Sequence, residues 1–184
     1  MNIDTIISHI RANCPSFSNR VAGAAEMEAA TDQAWLNMPA AYVLPIGAAA
    51  SASQSLNGLY QSVDESFAVV VALDNRADRR GQTAVTTVGS VRWELLRALL
   101  NWRLEPVRAP RGIEYEGERL ESQDRARIIY VYEFKQTITI TDEDGYQPPS
   151  EDWTATELSV VSDGTSPADE ALVLARARIE TGNT

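Results

Sequence analysis

His9 is the one histidine and Cys14 the one cysteine of the 184-residue chain, and these two counts limit the chemistry open to it. A triad or a relay through several imidazoles has no second histidine to draw on, nor has a two-imidazole metal site. A single cysteine excludes an intrachain disulfide and a multi-thiolate zinc site. Cys14 would be an activated thiol only if His9 turned toward it, and a small buried hydrophobe is the expected role. Carboxylates are left. Glu114 and Glu116 would serve an acid- and base-dependent hydrolase without histidine, provided a pocket made them converge. The run Asp142, Glu143, Asp144, Gly145 resembles a calcium loop only loosely, because the alternating ligands and the glutamate at the twelfth position are missing. It reads as a solvated acidic linker. Lys135 is the sole lysine, and no glycine-rich loop opens a helix with Lys followed by Ser or Thr. The expectation is therefore a protein with no catalytic residue, no metal and no cofactor.

One polar cluster stands above this background. Asp74, Asn75, Arg76, Ala77, Asp78, Arg79, Arg80 and Gly81 join an apolar run to the longest helical pattern. In one reading Asp78 simply caps that helix. In the other, the three guanidiniums, planar forks suited to carboxylates, meet the acidic surface of an adjacent subunit. Arg76, Asp78, Arg79 and Arg80 are then the candidate intersubunit residues. The net charge of −10 and pI of about 4.6 favour self-association over nucleic-acid binding, which draws its affinity from cations on phosphates.

The elements that must position these residues follow from periodicity. Ile3, Ile6, Ile7 and Ile10 form the stripe of a short amphipathic helix. Phe17 to Val21 is read as a short edge strand, Ala24 to Leu36 as a helix and Ala41 to Ile46 as a strand. Gly47 to Gly58, rich in small and polar residues, predicts a long exposed loop with Ser51, Ser53, Gln54 and Asn57 as contact residues. Leu59 to Leu73 ends as a strand apolar on both faces, hence a central one covered on both sides, with a neighbouring chain as one source of cover. Ala84, Val88, Val91, Leu95, Leu99 and Trp102 mark a helix across Gly81 to Trp102. Glu116, Gly117 and Glu118 suggest the turn of a small hairpin within Ile113 to Leu120. Ala126 to Thr141 is a long strand carrying Ile128, Tyr130, Tyr132 and Phe134 on one face, its Thr137 to Thr141 end projecting.

From Asp142 to Thr184 the character changes, with ten acidic residues against two arginines. Pro148 and Pro149 mark a linker, Leu158 to Val161 a short strand and Pro167 to Ile179 a helix. This divides the chain into a domain over 1–141 and an acidic C-terminal extension over 142–184. The fold class is α/β of the α+β type: a small, mostly antiparallel or mixed sheet of four or five strands with helices packed on it. The longest apolar stretches, such as Phe67 to Leu73, fall far short of the roughly 20 residues that span a bilayer. Met1 to Ile10 lacks the basic start and apolar run of a signal peptide, so assembly in the cytoplasm of the producing cell is expected.

The order of motifs resembles the tail terminator proteins of long-tailed bacteriophages. The pieces that carry it are NCPSFSNRVAGAAE (Asn13 to Glu26), FAVVVALDNRADRRGQ (Phe67 to Gln82), LLRALLNWR (Leu95 to Arg103) and IEYEGERL followed by DRARIIYVYEF, all within residues 1–141. The resemblance implies a structural virion protein, six copies of which close into a ring at the head-proximal end of the tail. That ring would cap the tail tube, stop its growth and meet the head-completion or connector proteins. DNA would cross the lumen without specific binding, and an acidic wall would keep it from adhering. A head-completion or tail-tube protein of the same assembly is the alternative. The acidic extension departs from the family pattern.

Overall fold

The computed structural model describes residues 1–28, 37–76, 82–147, 149, 157–158 and 177–178. The chain forms two compact units, Met1–Tyr146 and Gln147–Thr184. The first is an α+β fold: a five-stranded mixed sheet in the order β1-β2-β3-β5-β4, with helices packed on it. Its strands are β1 (Val21–Ala22), β2 (Ala40–Ala50), β3 (Tyr60–Asp74), β4 (Glu114–Gln123) and β5 (Arg127–Thr141). All neighbours run antiparallel except β1, which lies parallel to β2.

Helix α1 (Ile3–Asn13) starts where the Asn2 side chain accepts the Thr5 backbone N–H at 3.2 Å, with Asp4 in its first turn facing the positive end of the helix dipole. Its isoleucine stripe buries Ile6, Ile7 and Ile10. Helix α3 (Gln82–Leu99) buries Val91, Leu95 and Leu99, with Val88 and Trp102 packed at the margin. These two stripes meet Phe67, Val69, Val71 and Leu73 on β3 and Tyr132 and Phe134 on β5, which fill one core. Phe67 and Phe134 stack across the β3–β5 ladder with ring centroids 5.5 Å apart. On the other face of the sheet Ala68 and Val70 gather with Ala40, Tyr42 and Val131, and Met27 of α2 (Ala24–Glu28) packs there. Ala68, Val70 and Val131 are buried there within the single chain. The two-sided apolar pattern of β3 therefore needs no neighbouring chain to account for it.

Several local expectations are corrected. Pro15–Phe17 is a 3-10 turn, and Ser18 and Asn19 follow it in the left-handed region, so of the expected Phe17 to Val21 strand only Val21 pairs, in β1. The helix read over Ala24 to Leu36 is seen through Glu28, and its remainder lies outside the described residues. Gly47 to Ala50 are not loop. They continue β2 past a bulge between Pro45 and Gly47, because the edge of β3 offers backbone groups that need partners and pairing makes no demand on side-chain size. The loop is 51–59. Glu116, Gly117 and Glu118 make no turn either, since β4 continues through them. Bulges between Tyr115 and Gly117 and between Leu120 and Ser122 absorb one residue each and let β4 follow β5.

Thr137 to Thr141 run past the last residue of β5 that β4 pairs, Lys135, but not alone, and they are half-buried. They pair with Tyr60 to Asp64 of β3, whose other edge carries β2 to Ala50, so the three strands form an arm tipped by the 51–59 loop. A 3-10 turn, Asp142–Asp144, closes the end of β5 with a capping box between Thr141 and Asp144. In the second unit, β6 (Glu157–Leu158) pairs antiparallel with β7 (Ala177–Arg178). Ala177 and Arg178 are therefore strand, not the end of the helix expected over Pro167 to Ile179. A two-residue pairing leaves no apolar period for sequence to reveal. Among the described residues no helix is long and apolar enough to cross a membrane.

Candidate assembly surfaces

The residues that looked able to do chemistry are engaged in structure. His9 stacks on Trp102 with centroids 3.8 Å apart, and its Nε2 donates to the Ala98 carbonyl at 2.9 Å, pinning α1 to the end of α3. Cys14 is fully buried. Burial and then the nearby Glu94 carboxylate push its thiol up to about 12, away from nucleophilic form. Glu94 itself accepts from the Ser16 hydroxyl at 2.7 Å and from the Ser16 backbone N–H.

Glu114 and Glu116 lie on the exposed edge strand β4, where both approach one cation, Lys135, at 3.9 and 3.4 Å. They converge on a lysine at an edge. The acidic turn is exposed, as a solvated segment is, but it is held in place rather than a free linker. Asp142 accepts the Leu59 backbone N–H at 2.7 Å, and Asp144 pairs with Arg108 at 2.6 Å, so the turn fastens the base of the 51–59 loop to the segment after α3. A cleft of about 540 Å³ beside it is lined by Tyr60, Arg103, Arg108, Thr139 and Glu143 among others. Among the described residues no three His, Cys, Asp or Glu side chains gather as a metal site would require.

The arginine cluster is split by the structure. Arg76 turns back on its own chain and grips Asp74 with its Nε and Nη2, the latter at 2.6 Å. The guanidinium and the Arg76 backbone N–H hold the Asp74 carboxyl below the usual carboxylate range. Asp78, Arg79 and Arg80, and with them the expected helix cap, lie outside the described residues. The other candidate group is held together: Ser51, Ser53, Gln54 and Asn57 are all exposed at the tip of the arm. Ser53 Oγ ties that tip, accepting the Tyr60 N–H at 3.2 Å and the Ser55 N–H at 3.4 Å, while the Gln54 N–H donates to the Tyr60 carbonyl at 2.7 Å.

Two further surfaces went unread in the sequence. On the sheet face away from α1 and α3, a groove of about 420 Å³ has Leu44, Ile46, Val70 and Ile129 in its walls and Arg119 and Glu133 at its rim. The second surface runs along the outer side of α3. Trp93 on α3 and Leu100 just past its end are 55% and 42% exposed, large apolar side chains seven residues apart, with Arg97 lining the same surface. The same surface continues past Leu100 to Arg103 and Arg111. The 3.6-residue period that located the buried stripe of α3 also contained this second stripe, Trp93, Arg97 and Leu100.

What the described residues bring together are surfaces rather than reacting groups, the arrangement of an α+β assembly subunit. Comparison with known families sharpens this class. The family model described as phage tail terminator protein matches residues 1–144, and the chain belongs to that family. No curated protein matches it. The protein is accordingly a structural component of a phage tail, and its family is one of structural virion proteins.

Proposed function

We propose that the protein closes into a hexameric ring that caps the tail tube, ends its polymerisation and presents its other face to the head-completion or connector proteins. The family match over residues 1–144 carries this reading. The geometry supports it through the arm, which holds the exposed 51–59 loop at the end of three strands rooted in the core. A heterologous contact that closes by rotation gives a ring with two unlike faces, which is what a stopper between tube and head requires. In this reading the 51–59 loop, with Ser51, Ser53, Gln54 and Asn57, meets the tube or connector. Arg76, Asp78, Arg79 and Arg80 lie toward the adjacent subunit, Arg76 offering only the donors left free by Asp74. The ring assembles in the host cytoplasm, sits at the head-proximal end of the tail, and passes DNA through a lumen kept non-adhesive by the net charge of −10.

The test is electron microscopy of the purified protein with polymerising tail tube protein. Rings at one tube end and an arrest of elongation are expected. Tubes that grow to the same length distribution with and without the protein would overturn the reading, and a basic lumen in the assembled ring would overturn the role given to charge.

A further inference from the structure

The outer stripe of α3 combines two properties that an acidic protein does not display idly. Trp93 and Leu100 expose apolar surface that the fold leaves uncovered, and solvent exposure of such side chains side by side costs hydrophobic free energy that a partner would recover. Around them Arg97, Arg103 and Arg111 form no hydrogen bond or ion pair with any described residue. By contrast Arg76, Arg92, Arg108, Arg119 and Arg127 are each paired with a carboxylate. Of the nearby carboxylates, Glu118 is drawn to Arg92 at 3.3 Å and Glu114 to Lys135 at 3.9 Å, while Glu143 shares a cleft with Arg103 without forming an ion pair with it. A Trp and Leu flanked by three unspent guanidiniums is the composition of an interface centre, and arginine and tryptophan supply much of the binding energy where such centres are measured.

The same chain contains the complementary chemistry. Residues 147–184 hold seven acidic side chains against two arginines, and Asp169 and Glu170 are followed directly by Ala171, Leu172, Val173 and Leu174. Paired carboxylates next to an apolar run match guanidiniums next to Trp93 and Leu100 in both charge and hydrophobicity. We propose that the Trp93, Arg97, Leu100, Arg103 and Arg111 surface receives the acidic 147–184 segment of a second copy of this chain, so that the extension works as an intersubunit clasp. Aromatic and leucine side chains at its centre favour a protein over a phosphate backbone, for which arginines alone would serve. The inference deepens the ring reading and rests on its self-association.

The experiment uses three full-length proteins: the parent, a patch variant (Arg97→Glu, Arg103→Glu, Arg111→Glu) and a segment variant (Asp163→Lys, Asp169→Lys, Glu170→Lys). Self-association is read by sedimentation velocity, with melting curves to confirm folding. Each variant alone should associate at least about tenfold more weakly than the parent, as reversal of interfacial charge pairs does. An equimolar mixture should recover most of the loss, because each reversed surface then meets its reversed partner on the other molecule. A patch variant that associates like the parent, or a mixture no better than its components, overturns the proposal. So does a patch variant that self-associates normally but loses retention on duplex DNA, and so does a parent that stays monomeric at every concentration. Rings that depend on the patch yet leave tube growth unblocked sink the capping role and spare the clasp; rings that block growth but ignore the patch do the reverse.

Discussion

Cys14 and His9 show how the chemistry of a side chain is decided by its surroundings. Cys14 sits at 0% exposure beside Glu94, and a thiol held up to about 12 favours the neutral form in the folded state. Its contribution to stability is therefore complete below the unfolded value, near 8.5, and is lost as pH rises from there through the folded one. Native protein at about pH 8 should resist iodoacetamide and become labelled only on unfolding, and the denaturation midpoint should fall on the alkaline side. Rapid native-state labelling would contradict the buried environment. Carboxylates define the acid side. Asp124 closes the β4–β5 turn by accepting from the backbone N–H groups of Ala126 and Arg127 at 2.7 and 2.8 Å, which lowers its ordinary value, as Arg76 lowers that of Asp74. Stability from a depressed carboxylate is present above about pH 4 and lost as pH falls through the folded value. Urea midpoints measured from about pH 5 down to about pH 2 should decline, and less steeply for Asp124→Asn.

At the scale of elements, the β-ladders and the tight crossing after α3 carry the sharpest tests. A Cβ on Gly112 would lie 2.3 Å from the Asn101 backbone, where Asn101 itself holds φ 62° in the left-handed region at the end of α3. Gly112→Ala should cost about 1–3 kcal/mol, whereas Gly117→Ala, with nothing within 4 Å of its Cβ, should stay within about 0.5 kcal/mol. Equal melting temperatures for the two would refute the close approach. Phe134→Ala, which removes a fully buried ring stacked on Phe67, should cost about 3–5 kcal/mol in a denaturant titration. The same elements show what could be read in advance. Stripes with a clear period, as on α1, α3, β3 and β5, were legible, because burial of one face selects them. The 47–50 end of β2 and the continuation of β4 through Gly117 were not, since a neighbour's unpaired backbone decides them and side-chain pattern does not. The arm-tip residues were legible as small, polar and exposed. The α3 stripe was hidden because one period carried a buried and an exposed face, and the buried face accounted for the helix.

For the whole molecule, the acidic balance and the exposed arm belong to a subunit that works by contact. Gln54→Arg with Asn57→Arg places bulk and charge on the tip, where neither side chain bonds a described residue and only their backbone N–H groups are engaged. Thermal stability should move by less than about 0.5 kcal/mol, while affinity for tube ends, measured by co-sedimentation, should fall by about tenfold or more if the tip makes the contact. Unchanged co-sedimentation would remove the tip from the proposed interface. The arm also has a mechanical meaning. β3 and β5 pair without interruption from Tyr60 with Thr141 at the tip, through Phe67 with Phe134 in the aromatic core, to Asp74 with Arg127 at the far end. A pull along that axis loads the ladder in shear, so many hydrogen bonds resist together and none is peeled open first. The arm behaves as a stiff cantilever, and strain applied at the loop is delivered to Phe67, Phe134 and the two helices packed on them.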